Sequence, residues 1–222
     1  MKVELTEIVN VAVEPLAQAL KDLAIEHNIN NYDIWTETGR SEVDQKEFKD
    51  SLIKYYRRGG MITDDVKCMM TNEWHKRDFI IAEHIWKQKM HDGRGLCHFN
   101  LKQEDASSPR NGILMLKAIE DRFTVKHICL IYISTRQVFI IKVLDPSIMD
   151  RKITNSNKRF RDINGAKLCH PAGCFPFRRL LSFHAKLALK EAREKGWISE
   201  AEESSYQPFH DTSDGTSIPS IE

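Results

Sequence analysis

The segment CMMTNEWHKRDFIIAEHIWK (residues 68–87), followed by SPRNGILMLKAIEDRFT (residues 108–124), decides the fold. The apolar run before His84 predicts a strand over residues 79–85, and ILML after Asn111 predicts a second short strand. AIEDRF then fits one or two helical turns. Two strands and a helix in this order predict a compact ββα unit within an α+β fold.

Three polar residues fall at the ends of these elements: His84, Asn111 and Glu120. A histidine at a strand end suits a general base that activates water, and an asparagine can hold the histidine or its loop in place. A carboxylate on the helix can bind a divalent ion, which stabilises charge on a phosphate. The order of the three favours a site for phosphodiester hydrolysis.

Each of these residues also has a structural explanation. His84 next to an apolar strand fits a hydrogen-bonded core histidine. Asn111-Gly112 is an ordinary turn signal, and Glu120 fits a solvated helix face beside its charged neighbours. No single residue therefore carries the functional interpretation, which depends on all three.

The chain of 222 residues is long enough for a sizeable core, and its 41 % hydrophobic and 29 % charged residues are ordinary for a globular protein. We predict a helical N-terminal segment (1–60), a main domain (61–198) and an acidic, flexible tail (199–222). No apolar run is long enough for a membrane span, and the N-terminus does not resemble a signal peptide. Five dispersed cysteines without a CxxC pair favour a reducing compartment.

Charge is distributed unevenly along the chain. Residues 1–50 hold five basic and eleven acidic side chains, and residues 199–222 hold six acidic and no basic ones. The 28 basic and 15 acidic residues between them give that middle part a net charge of +13. Because phosphate contacts release counterions, a basic middle part favours a polyanion partner. A dispersed, solvated surface charge is the alternative.

Other segments predict the surrounding elements. Residues 5–26 predict two short helices around Pro15, and a further helix is expected from Ser41 to Arg58. HICLIYIS and QVFIIKVLD predict a β-hairpin, and a helix is expected from Pro176 to Gly196. The N-terminal helices predict packing or a homodimer interface, and no chemistry.

A basic segment separates the hairpin from the last helix. With few large apolar groups, it predicts a mobile loop that contacts the phosphates of nucleic acid. A nuclear-targeting patch around residues 158–161 is a second interpretation, compatible with the first. The basic residues expected to bind nucleic acid are Arg151, Lys152, Lys158, Arg159, Arg161 and Lys167.

The motifs IIAEHIWK and RNGILMLKAIEDRF, with Cys68 before them and a hairpin ending KVLDPS after them, resemble the HNH (ββα-metal) endonuclease family. They are most similar to the HNH-like domains of Crinkler-type effectors, over about residues 66–195. This resemblance implies a low-specificity, metal-dependent DNA endonuclease acting on duplex DNA, located in the nucleus. The alternative is a degenerate HNH-like fold that binds DNA or a protein without cleavage.

The resemblance also implies roles for individual residues. His84 would activate water, Asn111 would hold its ring or loop, and Glu120, with Glu83, would bind the divalent ion. Many HNH enzymes have histidine where this chain has Glu120. A carboxylate favours Mg²⁺ over softer ions, although Mn²⁺ and Zn²⁺ stay open. His75, His91, His98 and His127 are candidates for one further ligand.

Two further features have competing explanations. Cys68, Cys169, His170 and Cys174 could form a structural zinc site, but they lack paired CxxC spacing, and we expect none. Trp74 and Trp86 are expected to pack in the core rather than to stack on bases.

Overall fold

The computed structural model describes residues 42–86 and 96–206. In these ranges, six strands pair into three two-stranded antiparallel sheets with helices packed around them. The fold is α+β, as the sequence predicts. No helix in these ranges is long and apolar enough to cross a membrane.

The elements follow one another along the chain with short connections. In order they are α1 (Glu42–Tyr55), β1 (Asp65–Lys67), β2 (Trp74–Lys76), β3 (Ile80–His84), β4 (Gly112–Leu116), α2 (Lys117–Thr124), β5 (Ile128–Ile133), β6 (Val138–Val143), α3 (Phe160–Ile163), α4 (Arg178–Glu194) and α5 (Glu200–Ser205). Helix α1 lies within the helix predicted from Ser41 to Arg58. The helices predicted in residues 5–26 lie outside the described residues.

One hydrophobic core extends from α1 to the later strands. Phe48 and Leu52 on α1 are buried in the same cluster as the strand residues of β3 and β4. The hydroxyl group of Tyr56 donates a hydrogen bond of 3.1 Å to the carbonyl oxygen of Gly112, and burial raises the pKa of this tyrosine. Helix α1 is therefore part of the structure that surrounds the β3–β4 hairpin.

The predicted hairpin and last helix are present. Strands β5 and β6 pair from Ile128 opposite Val143 to Ile133 opposite Val138. Helix α4 begins two residues after Pro176 and ends at Glu194. Gly196 follows with a φ of +69°, a left-handed conformation that glycine adopts at low cost and that ends the helix.

The basic segment is folded, and the prediction of a mobile loop is wrong. Ile153, Phe160, Ile163 and Leu168 are buried in the main core. Helix α3 lies within the segment, and Lys152 forms a β-bridge with Arg159. The sequence argument failed because it counted few apolar residues without knowing that all four point inward.

The start of the acidic tail is ordered as well. Helix α5 begins with a capping box, in which the Ser199 hydroxyl accepts a hydrogen bond from the Glu202 backbone amide. The hydroxyl groups of Tyr206 and Ser182 lie 3.0 Å apart, and burial raises the pKa of Tyr206 to about 12. Residues 199–206 therefore dock on α4, contrary to the expected loose packing. The rest of the tail lies outside the described residues.

Candidate functional site

The β3–β4 hairpin brings the two motif segments together. The strands pair antiparallel with His84 opposite Gly112 and Glu83 opposite Ile113. The long connection between them spans residues 85–111, of which 87–95 are outside the described part. Helix α2 begins directly after β4 and packs on the hairpin. A strand, a strand and a helix therefore succeed one another as the sequence predicts.

Asn111 closes the connection between the strands. Its side-chain oxygen accepts a hydrogen bond of 2.8 Å from the Trp86 backbone amide. Its side-chain nitrogen donates to the carbonyl oxygens of Trp86 and Ala106, both at 2.9 Å. The residue is fully buried. Because a buried amide group needs hydrogen-bond partners, these bonds fix both ends of the loop beside His84.

His84 lies in the core below α1. Its ring stacks on Phe48 with centroids 3.5 Å apart, and only 6 % of the residue is exposed. A Cβ atom on the facing Gly112 would lie 2.7 Å from Leu52 and 2.7 Å from Phe48, so the helix packs closely against this strand pair. The structure therefore places the candidate base in a packed environment.

Glu83 and Glu120 approach a common hydroxyl group. The Thr124 Oγ1 atom lies 3.3 Å from the Glu83 Oε1 atom and 3.2 Å from the Glu120 Oε1 atom. A hydroxyl group has one proton, so it cannot donate fully to both carboxylates. The two proposed metal ligands thus converge at the C-terminal end of α2.

A lysine also binds this carboxylate group. The Lys117 ammonium group donates to Glu120 and lies 2.9 Å from the Asp121 carboxylate. Hydrogen bonds to Glu120 and to Asp121 raise the pKa of Lys117, so it is positively charged at neutral pH. One cation therefore already balances part of the local negative charge.

The candidate base and the candidate metal ligands lie on different faces of the hairpin. Successive side chains of a strand point to opposite faces, so His84 and Glu83 are directed apart. His84 contacts α1, whereas Glu83 contacts α2. Across residues 42–86 and 96–206, no three His, Cys, Asp or Glu side chains form a group that could hold a metal ion. His91 lies outside these ranges.

The residues present still suit a weakly held hard cation. Mg²⁺ is commonly bound by one or two carboxylates, with water and substrate phosphate completing its coordination. Glu83 and Glu120 supply two carboxylates next to a hydroxyl oxygen. The alternative zinc site receives no support, because Cys68, Cys169, His170 and Cys174 belong to no metal-binding group in the described structure. Cys68 is instead buried, and its sulfur accepts from the Thr71 backbone amide.

The comparisons with known proteins address the hairpin region. Residues 68–131 match the family model of HNH endonucleases. Searches of curated proteins and of solved structures find no significant match. The HNH match begins at Cys68 and includes His84, Asn111 and Glu120, so it supports the HNH family and suggests a nuclease. It supports neither the Crinkler-type relation nor a particular metal.

Helix α1 precedes the HNH segment, and sequence reasoning assigned it no chemistry. Phe48 nevertheless covers the His84 ring. The only sequence signal was the apolar spacing of Phe48 and Leu52 on a helix, which indicates packing without indicating the partner. The contact joins residues 36 positions apart, a distance at which no local pattern applies.

The six predicted nucleic-acid contacts fall into two groups. Lys158 donates to the Thr71 carbonyl oxygen at 2.6 Å, and Arg159 and Arg161 both bind Asp150. These three contribute to the structure of the segment. The other three are exposed and form no ion pair with a described residue: Arg151, Lys152 and Lys167.

Proposed function

We propose that this protein is an HNH-type endonuclease that hydrolyses DNA phosphodiester bonds with low sequence specificity and with a divalent metal ion. The observation that carries the proposal is the Asn111 amide group, which closes the loop between two paired strands ahead of a helix, within the segment that matches HNH endonucleases. The nuclear location and the Crinkler-type role that the resemblance implies are part of the same proposal.

Each residue of the proposed site has a defined task. A ring nitrogen of His84 takes a proton from water, the water oxygen attacks phosphorus, and the 3′-oxygen leaves. Asn111 holds the backbone on both sides of the loop. Glu83 and Glu120 would hold Mg²⁺, which supplies positive charge next to the phosphate. Since Phe48 covers His84, access of substrate requires movement of α1.

The test is nicking of a supercoiled plasmid with Mg²⁺, with Mn²⁺ and with EDTA. We expect cleavage by the wild type with either metal and none with EDTA. His84→Ala should lower the rate about 100- to 10,000-fold, the usual contribution of a general base. His170→Ala is the matched control, because His170 is a half-buried histidine that contacts Phe175 outside the hairpin. Equal cleavage by wild type and His84→Ala would contradict the proposed base.

Glu120→Ala tests the metal ligands separately. We expect it to weaken Mg²⁺ binding measured by calorimetry and to lower the cleavage rate, since it removes one of two carboxylates at Thr124. Asp121→Ala is the control, because Asp121 binds the same Lys117 without contacting Thr124. Identical Mg²⁺ affinity in the wild type and Glu120→Ala would remove Glu120 from the site.

A second candidate function is binding of nucleic acid without cleavage. Two observations favour it: His84 is packed below Phe48, and Lys117 occupies the Glu120 carboxylate. In that case the wild type leaves the plasmid intact with both metals and still shifts it in a gel. The plasmid experiment therefore separates the two functions directly.

A further inference from the structure

An open cleft lies between β2 and the folded basic segment, away from the residues assigned to cleavage. Its volume is about 520 Å³, within the range of small-molecule binding sites. The residues that line it come from positions 73–75 and 152–157, and the polar ones among them are Glu73, His75, Lys152, Thr154, Asn155, Ser156 and Asn157. No part of the proposed mechanism uses this cleft.

Trp74 presents an aromatic surface in this cleft. The residue is 51 % exposed, so the expectation that it packs in the core is wrong, whereas Trp86 is buried as expected. The Lys67 ammonium group lies 5.5 Å from the centre of the Trp74 ring. An exposed indole next to a cation is a surface on which a nucleobase can stack while its phosphate is neutralised.

The inner part of the cleft offers hydrogen-bonding groups. The His75 side chain is 8 % exposed, and its Nε2 atom makes no hydrogen bond. The nearest acidic atom is the Glu73 Oε2 atom, 3.8 Å away, and the Glu73 carboxylate accepts a hydrogen bond from Ser156. Burial lowers the pKa of His75, so the ring is neutral at pH 7. A neutral ring and an amide-rich wall suit the edge of a base better than a phosphate.

The rim of the cleft carries the positive charge. Lys152 lines it, and neighbouring Arg151 is exposed; neither forms an ion pair with a described residue. The Glu73 carboxylate repels phosphate from the inner part of the cleft. The charge arrangement therefore directs a base inward and its phosphate toward Lys152.

We propose that this cleft binds an unpaired nucleotide of single-stranded nucleic acid, with the base stacked on Trp74 and the phosphate next to Lys152. The bases of an intact duplex are stacked on each other and do not expose a face to Trp74, so the cleft discriminates in favour of single strands. The choice of ligand rests on the proposed function in one respect only, namely that nucleic acid is the partner of this protein.

The experiment measures binding of a short fluorescein-labelled oligothymidylate by fluorescence anisotropy in EDTA, where cleavage does not occur. Trp74→Ala should weaken binding about 5- to 150-fold, the effect of losing one base–aromatic stack. Trp74→Phe should retain most of the affinity. Phe79→Ala is the matched control, because Phe79 is an exposed aromatic residue outside the cleft. An abasic strand of equal length should bind the wild type and Trp74→Ala equally.

Lys152→Ala tests the rim. It should weaken binding of the normal and the abasic strand alike and flatten the salt dependence by about 0.7 in log–log slope, as expected for one phosphate contact on a single strand. Unchanged affinity of Trp74→Ala for oligothymidylate, or equal loss on the abasic strand, would overturn the stacking proposal.

The result is independent of the plasmid assay. A protein that binds the single strand through Trp74 but nicks no plasmid retains this inference and loses the proposed nuclease function. A protein that nicks the plasmid, and whose Trp74→Ala variant binds like the wild type, retains the nuclease function and loses this inference.

Discussion

His84 at the end of β3 and His75 in β2 are both nearly buried, yet their surroundings differ. His84 stacks on Phe48 and faces Gly112, where Phe48 and Leu52 fill the space above it. His75 lines a cleft of about 520 Å³ with an Nε2 atom that has no hydrogen-bond partner. Motif order singled out His84, whereas His75 was only one of several candidate further ligands. Surface access is greater at His75.

This difference shows that a motif and an open site are separate properties. A strand end directs a side chain to one face, and the element packed on that face determines access. At His84 that element is α1, from outside the HNH segment. At His75 it is the loop of residues 152–157, which leaves a cleft.

The largest expected effect comes from opening the His84 region with Phe48→Ala. Removing this buried ring should lower the free energy of unfolding by about 3–5 kcal/mol, because it leaves a cavity over His84 and Gly112. Denaturant unfolding measures the change. Phe79→Ala, at a 41 % exposed phenylalanine, should change it by under about 0.5 kcal/mol. Similar values for the two variants would mean that α1 does not pack on His84.

Asn111→Ala comes next. It leaves the Trp86 amide group and the carbonyl oxygens of Trp86 and Ala106 without their partner. We expect a loss of about 2–4 kcal/mol in unfolding free energy, the cost of buried groups left unpaired. Asn157→Ala, at an exposed asparagine in the His75 cleft, should have little effect. If Asn111→Ala were as stable as Asn157→Ala, the loop would not depend on this amide.

Gly112→Ala should cost about 1–3 kcal/mol, because its Cβ would lie 2.7 Å from both Leu52 and Phe48. The double variant Gly112→Ala with Phe48→Ala sharpens the test. The smaller side chain at position 48 makes room for the new methyl group, so the two costs should not add. Strict additivity in denaturant unfolding would place the strain elsewhere.

The smallest effect is the pH dependence of stability that His75 contributes. Burial lowers its folded-state pKa from the ordinary value of 6.5, although the facing Glu73 and Asp65 carboxylates oppose this shift. The unfolded chain therefore binds the proton first as pH falls. Stability from this group is complete above about pH 6.5 and declines below it.

Thermal unfolding of the wild type and His75→Gln across this pH range measures that contribution. The wild type should lose more stability than the variant between neutral and mildly acidic pH. Parallel curves would mean that the His75 pKa is not lowered by folding.

Much of the fold was predictable from local patterns. The strand before His84, the strand after Asn111, the β5–β6 hairpin and α4 lie where alternation, propensity and end signals indicated. The order of His84, Asn111 and Glu120 identified the segment that matches HNH endonucleases. These features depend on residues close in sequence, for which short-range periodicity is informative.

The failures share one physical cause. The basic segment looked polar because its four buried apolar residues are spaced irregularly, and the exposure of Trp74 depends on which elements cover β2. Neither property is local.

The sequence by itself determined the succession of strands and helix, the identity of the polar residues at their ends, and the excess of positive charge between residues 51 and 198. Only the tertiary structure decided that Phe48 covers His84, that Thr124 joins Glu83 to Glu120, and that Trp74 lines an open cleft. Periodicity states which face of an element is apolar. The partner that covers that face is selected by packing between residues far apart in the chain, and this selection controls which polar groups reach solvent.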